Sequence, residues 1–148
     1  MTPTSNKKFK VLFLCTGNSV RSQMAEGAVN HLYGDRIQAY SAGLEPLGVN
    51  GYAIQVMAEK GIDISRHTSK AVEDVLDIDF DLVVSVCDHA AKFCPEFPRH
   101  VPRIHVSIPD PSFIEGYDDK VTGAFRSVRD KIFDSVVPRV VEEMEKKG

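Results

Sequence analysis

Residues 10–22, KVLFLCTGNSVRS, join an apolar run to a polar loop. The apolar residues up to Leu14 predict a buried strand, and Gly17 and Asn18 are residue types that supply the positive φ angles of a tight turn. A helical pattern follows the loop. A strand, a loop and a helix in this order form a cradle for an anion, because loop N–H groups and the positive end of the helix point toward it.

Two side chains give this loop its predicted chemistry. Cys15 and Arg21 stand in a Cys-x5-Arg spacing. Arg21 can donate two hydrogen bonds to one oxyanion, and the cradle favours the thiolate of Cys15, which is the nucleophilic form. We therefore expect sulfur to attack a tetrahedral oxyanion of the phosphate type. The expected oxyanion-binding residues are Thr16, Gly17, Asn18, Ser19, Val20, Arg21 and Ser22. The alternative is a buried structural cysteine with a surface arginine nearby.

Length and composition restrict the class of protein. The chain has 148 residues, 43% of them hydrophobic and 26% charged, with a net charge of −3. These values predict one domain, expected to be a monomer, and argue against nucleic-acid binding. No apolar run is long enough for a membrane span, and the run after the polar residues 1–8 is short for a secretory signal. With 3 cysteines, an odd count, we expect a cytoplasmic protein with reactive thiols.

Strand patterns alternate with helical patterns along the chain. This order predicts an α/β fold with a four-stranded parallel sheet and helices on both faces, formed by residues 9–148, with residues 1–8 loosely held. The expected strands are 9–14, 36–40, 80–86 and 101–106. Four helical segments are expected. The first runs from about residue 19 to Gly34, the second from an Asn50 cap to Gly61, and the third occupies one or two turns at 71–76. The fourth begins at about residue 118 and is kinked or divided at Pro138. Residues 41–49 are expected to form a loop.

Several chemically active residues follow the ends of predicted strands. Cys15 ends the first strand and Cys87 follows the third, so both sulfurs should lie at one edge of the sheet, where ligands bind in such folds. Asp110-Pro111 follows the fourth strand. The carboxyl group of Asp110 could deliver a proton to a leaving oxygen there, whereas the alternative is an ordinary Asp-Pro turn.

The remaining thiol, Cys94, is separated from Cys87 by six residues. The pair could be a redox pair, in which a thiolate attacks a sulfur adduct and a second thiol resolves it by disulfide exchange. Zinc is a competing interpretation. It would need Cys15, Cys87, Cys94 and His89, a wide spacing that also consumes the proposed nucleophile, so we expect no metal. Two unrelated structural cysteines are the third possibility.

Taken together, these residues resemble the thioredoxin-coupled arsenate reductases, which share the fold of the low-molecular-weight tyrosine phosphatases. The resemblance covers nearly the whole chain. The matching segments are 15–27 (CTGNSVRSQMAEG), 40–43 (YSAG), 61–65 (GIDIS), 82–87 (LVVSVC), Cys94-Pro95 and Asp110-Pro111.

The resemblance implies a role for each thiol in the reduction of arsenate to arsenite, a detoxification reaction that needs no cofactor. Cys15 would attack arsenic, and Asp110 would protonate the departing oxygen. Cys87 would then attack Cys15 and release arsenite, and Cys94 would attack Cys87 to leave a disulfide for thioredoxin to reduce. Residues 88–93 would have to rearrange or partly unfold for this.

The chain departs from some relatives in two places. Val20 stands where some carry a further cysteine, so no disulfide can form inside this loop. Some relatives also bind potassium through residues that match Asn18, Glu26, Ser41 and an aspartate, and Lys70 occupies the aspartate position here. Its ammonium group could pair with Glu26 in place of the cation, which predicts potassium-independent activity. The alternative is a solvated surface lysine.

Two other functions stay open on the sequence. A low-molecular-weight tyrosine phosphatase would use the same loop and Asp110. Such enzymes usually carry aromatic residues after Asp-Pro, whereas only one of Ser112 and Phe113 is aromatic here, and weak phosphatase activity is expected in either case. A non-catalytic oxyanion sensor or redox-regulated interaction module would bind arsenate or phosphate without turnover.

Overall fold

The computed structural model describes residues 7–98 and 100–147. Its strands are β1 (Phe9–Cys15), β2 (Ile37–Gly43), β3 (Leu82–Ser85) and β4 (Arg103–His105). They form one sheet in the order β2-β1-β3-β4, and every neighbouring pair is parallel. The predicted four-stranded parallel sheet is therefore confirmed. Residues 1–6 of the segment predicted to be loosely held lie outside the described residues.

Within residues 7–98 and 100–147, five α-helices accompany the sheet: α1 (Arg21–Tyr33), α2 (Gly51–Ala58), α3 (Asp88–Phe93), α4 (Asp118–Lys131) and α5 (Val137–Lys147). The chain moves outward from β1 to β2 and then, on the other side of β1, from β3 to β4. Right-handed crossovers in these opposite directions place helices on both faces of the sheet. Ligands bind at such a reversal, outside the carboxyl ends of the two central strands. Within the described residues, no helix is both long and apolar enough to cross a lipid bilayer.

The second strand is longer than its sequence pattern indicates. Residues 41–43, which were expected to begin a loop, continue the register with β1, so that Cys15 pairs with Gly43. A side chain on Gly43 would put its Cβ 2.7 Å from both the Asn18 nitrogen and the Thr16 oxygen. The strand can therefore pack directly against the loop only because this residue is glycine.

The helix ends agree with the predicted signals in part: α2, which was expected to run to Gly61, ends at Ala58. The Asn50 side chain caps α2 by accepting hydrogen bonds from the backbone nitrogens of Tyr52 at 2.8 Å and Ala53 at 3.3 Å. The C-terminal helix is divided by a π-helical turn at Ile132–Val136, directly before the helix that contains Pro138. Proline lacks the N–H that would continue the α-helical ladder, so the predicted division is confirmed. Helix α1 begins at Arg21, two residues later than expected.

Candidate active site

The loop between β1 and α1 lies at the carboxyl edge of the two central strands. Asn18 has a φ of 47°, as predicted. Gly17 does not have a positive φ, and the expectation for that residue is wrong; a Cβ on Gly17 would instead lie 2.9 Å from the Leu47 side chain. Leu47 is exposed and its side chain can move, so this contact alone does not require glycine at position 17.

The sulfur of Cys15 is buried and hydrogen-bonded. It lies 2.9 Å from the hydroxyl oxygen of Ser22, which in turn accepts a hydrogen bond from the Asn18 side-chain amide at 2.9 Å. Because Ser22 already accepts from Asn18, its own O–H is available to donate to the sulfur. The loop and the first turn of α1 thus present a donor to the sulfur that was predicted to be the nucleophile.

Arg21 and Asp110 meet on the other side of the cleft. The Nη1 of Arg21 donates to the carbonyl oxygen of Ile108 at 3.0 Å, and its Nη2 lies 3.4 Å from Oδ2 of Asp110. The other Asp110 oxygen accepts from the backbone nitrogen and hydroxyl of Ser112, at 2.9 and 2.6 Å. These contacts fix the direction of both side chains. Because a guanidinium has five N–H groups, Arg21 can keep these contacts and still donate hydrogen bonds to an oxyanion.

Cys87 is placed beside the loop at the start of α3. Its sulfur lies 3.3 Å from the hydroxyl of Thr16, the residue next to Cys15, and accepts from the backbone nitrogen of Ala90 at 3.4 Å. Cys15 and Cys87 both line one cleft of about 680 Å³. The side chains of Leu47 and Phe113, which are 77% and 82% exposed, form part of its rim.

Cys94 is not brought to this cleft. It follows the last residue of α3, is half-buried, and donates to the Pro95 carbonyl oxygen at 3.4 Å. Burial raises the pKa of the Cys94 thiol, and the Arg103 guanidinium partly opposes this shift. At 1.5 Å per residue, the seven steps from Cys87 to Cys94 along α3 separate their positions by about 10 Å. The structure thus unites two of the three thiols and holds the third apart.

The residues predicted to support the loop lie together beneath it. Oε1 of Glu26 accepts a hydrogen bond from the Ser41 hydroxyl at 2.6 Å and lies 4.0 Å from Nζ of Lys70. The side-chain oxygen of Asn18 accepts from the Lys70 backbone nitrogen at 2.7 Å. The Lys70 side chain also donates to the Thr68 carbonyl oxygen at 3.1 Å.

Two further residues that brace the loop were not predicted. The amide of Gln23 donates to the carbonyl oxygens of Asn18 and Thr68, both at 3.1 Å, and the Ser69 hydroxyl donates to those of Gly17 at 3.1 Å and Asn18 at 2.8 Å. Gln23 is fully buried. At about 100° per residue, Gln23 points away from the predicted apolar face of α1, so the sequence pattern gave no signal that its amide would be buried.

Comparison with known proteins agrees with this geometry. Residues 10–148 match the sequence profile of the family "low molecular weight phosphotyrosine protein phosphatase". An arsenate reductase of Halalkalibacterium halodurans is 49% identical over 127 residues, 86% of this chain and 91% of the relative. A solved arsenate reductase in a phosphate-binding state has 36% identity and a TM-score of 0.73, with 93% of this chain and 98% of that chain covered. Another in an oxidized state has 34% identity and a TM-score of 0.74, over 94% and 98%.

The chain therefore belongs to the low molecular weight phosphotyrosine protein phosphatase family. Within that family, these relatives that match most of its length are arsenate reductases. The resemblance drawn from the sequence motifs is confirmed.

Proposed function

We propose that the protein reduces arsenate to arsenite through a relay of three cysteines. Cys15 attacks the arsenic atom and forms a sulfur–arsenic bond, while the loop N–H groups and Arg21 hold the oxyanion. Asp110 donates a proton to the departing oxygen, which leaves as water.

The next two steps move electrons from sulfur to arsenic. Cys87 attacks the sulfur of Cys15, so a sulfur–sulfur bond forms and the sulfur–arsenic bond breaks with its electron pair on arsenic, which leaves as arsenite. Cys94 then attacks Cys87, and Cys15 departs as a thiolate. The two electrons that arsenic gains have come from the protein, which keeps a Cys87–Cys94 disulfide.

One observation carries this proposal: Cys15 and Cys87 share a single cleft with Arg21 and Asp110. A phosphatase needs only the first of these two sulfurs, whereas reduction of arsenic needs a second sulfur able to attack the first. The Thr16 hydroxyl contacts the Cys87 sulfur at 3.3 Å and thereby holds it beside the residue that follows the nucleophile. The matching arsenate reductases support the choice of arsenate as substrate.

The product disulfide defines the partner. A disulfide between Cys87 and Cys94 must return to two thiols before the next turnover, and thioredoxin is the dithiol protein that we assign to this step. Every residue of α3 except Ala90 is partly or fully exposed, so a disulfide formed across this segment can be reached from outside. The cycle needs reduced thiols, which is the condition of the cytoplasm, and it operates within one monomer.

Hydrolysis of phosphate esters is the second candidate function. The loop, Arg21 and Asp110 would serve it equally, and Phe113, exposed at the rim of the cleft, offers an aromatic surface to an aryl phosphate. We expect this activity to be weak and independent of Cys94.

A comparison of wild type with Cys94→Ser tests the proposal. Arsenate-dependent NADPH consumption, measured with thioredoxin and thioredoxin reductase, should be present in wild type and lost in the variant. Hydrolysis of p-nitrophenyl phosphate serves as the control, because it should survive in Cys94→Ser if the oxyanion site is intact. Full NADPH consumption by the variant would contradict the relay, and binding of arsenate without any turnover in wild type would identify a sensor.

A further inference from the structure

A hydrogen-bonded chain outside the oxyanion loop joins the sheet to the first turn of α3. The hydroxyl of Ser85, the last residue of β3, lies 2.7 Å from Nδ1 of His105 on the edge strand β4. On the other side of the ring, Nε2 lies 2.8 Å from Oδ1 of Asp88, the residue that follows Cys87. Ser85 is buried, whereas the side chains of His105 and Asp88 are 37% and 83% exposed.

The chemistry of these groups sets the direction of the chain. A carboxylate only accepts hydrogen bonds, so Nε2 of His105 donates to Asp88. On the other side of the ring, Nδ1 contacts the Ser85 hydroxyl and lies 3.1 Å from the Ser85 carbonyl oxygen. The hydrogen bond from His105, followed by one from Ser107, holds the pKa of Asp88 below its ordinary value. His105 therefore connects a fixed strand end to the helix that follows Cys87.

Helix α3 has to unwind before Cys94 can reach Cys87. A disulfide needs Cα atoms about 4.4–6.8 Å apart, whereas the wound helix separates the two cysteines by about 10 Å. Ala90 is the buried residue of α3, so apolar packing holds this helix only weakly. A contact that stabilises the first turn of α3 should therefore strongly affect how often this helix opens.

We propose that His105 is a positioning residue that, through Asp88, holds α3 wound and so limits the rate at which Cys94 reaches Cys87. In the relay, the affected step is the attack of the Cys94 thiolate on Cys87: the Cys87–Cys94 bond forms, the Cys15–Cys87 bond breaks, and Cys15 leaves as a thiolate. The role in arsenate turnover rests on the proposed function, but closure between Cys87 and Cys94 can be measured without arsenate.

The test uses Cys15→Ser as background, in which Cys87 and Cys94 are the remaining thiols. The aromatic disulfide 5,5′-dithiobis(2-nitrobenzoate) reacts with one of them, forms a mixed disulfide and releases one coloured thiolate. The other cysteine then attacks the mixed disulfide, which forms the Cys87–Cys94 bond and releases the second thiolate. This second phase is unimolecular, so its rate reports how often α3 brings the two cysteines together.

In this background, His105→Phe should raise the second-phase rate by about fivefold, which corresponds to the typical net contribution of one hydrogen bond. The matched control His31→Phe, at an exposed histidine of α1, should leave it unchanged. His105→Gln keeps a side-chain N–H donor and should stay near the rate of the Cys15→Ser background. Because Asp88 is exposed, Asp88→Ala keeps the test available if His105→Phe does not fold, with the same rise expected.

The double variant decides whether the effect passes through Asp88. Once Asp88→Ala is present, His105→Phe should add no further increase, because the contact is already lost. An unchanged second-phase rate in His105→Phe, or a His105 effect that persists in the Asp88→Ala background, would overturn the inference. Absence of arsenate reduction in the wild-type protein would contradict the proposed function alone, since closure is measured without arsenate.

Discussion

At the scale of single residues, the direction of Arg21 sets how an oxyanion can be held. Its guanidinium is fixed by the Ile108 carbonyl oxygen at 3.0 Å and by the Asp110 carboxylate at 3.4 Å. A planar fork held on one side can present its other N–H groups to two oxygens of the same anion. A lysine at this position would keep the positive charge but would lack the paired, coplanar N–H donors of the guanidinium.

Arg21→Lys should therefore weaken oxyanion binding by about tenfold, because a bidentate charged contact is reduced to a single one. Inhibition of p-nitrophenyl phosphate hydrolysis by inorganic phosphate measures the affinity. The control is Arg36→Lys, which lies just before β2 at the opposite edge of the sheet and should leave inhibition unchanged. If phosphate inhibited Arg21→Lys as strongly as it inhibits the wild-type protein, the bidentate contact of Arg21 would not contribute to oxyanion binding.

We expect Lys70 to determine how the protein responds to potassium. Its ammonium group lies 4.0 Å from Glu26, close to where the resemblance implies a cation in some relatives. We expect kcat/KM for arsenate to be the same in potassium and sodium chloride at equal ionic strength, because a fixed positive charge already faces Glu26. Lys70→Asp should introduce a potassium response, whereas Lys60→Asp should not. A several-fold gain with potassium in the wild-type protein would contradict this account.

At the scale of elements, one carboxylate joins α2 to α4. Glu59, directly after α2, accepts from Arg126 at 2.7 Å and from Arg129 at 2.8 Å. These contacts lower the pKa of Glu59 to about 2, and the hydrogen bond from Arg126 is the largest cause of the shift. A carboxyl group whose pKa is lower in the folded protein than in the unfolded chain stabilises the folded protein at pH values above its unfolded-state pKa. This stabilisation is lost as the pH falls toward the pKa of the folded state.

Glu59→Gln should therefore lower the free energy of unfolding near neutral pH, with the difference from wild type shrinking between about pH 4.5 and pH 2. Urea unfolding across this pH range measures it. Arg126→Gln, which removes the largest cause of the shift, should reduce the same pH dependence. A difference that stays constant down to pH 2 would mean that Glu59 is not held ionised by these arginines.

Local sequence patterns were sufficient for the strands, the Asn50 cap and the division at Pro138, because short-range sterics and hydrogen bonding determine them. They were insufficient for α3, which is too short for periodicity to show and buries Ala90 alone. Residues 41–43 were assigned to a loop because their pairing with β1 is a tertiary interaction.

The same distinction applies to the candidate site. The Cys-x5-Arg loop and the residues after each strand were recognisable, since topology brings strand ends to one edge. The bracing contacts of Gln23 and Ser69 were not, because their partners on the loop depend on how the segment near residue 68 folds back. The chain of Ser85, His105 and Asp88 was also hidden, since it joins three separate elements.

At the scale of the whole molecule, the reversal in strand order is the feature that makes two-sulfur chemistry possible. It places the end of β1, with Cys15, beside the end of β3, before Cys87. Cys94 lies beyond α3, and the proposed relay requires this helix to open. Removal of Cys94 should therefore stop the relay at its midpoint and leave the first two steps intact.

The most direct test is a single turnover of Cys94→Ser with arsenate and no thioredoxin, followed by peptide mapping without reduction. The account predicts release of one arsenite per protein molecule and a disulfide between the peptides that contain Cys15 and Cys87. Release of arsenite with both of these cysteines still as free thiols, or no release at all from a variant that still hydrolyses p-nitrophenyl phosphate, would contradict it.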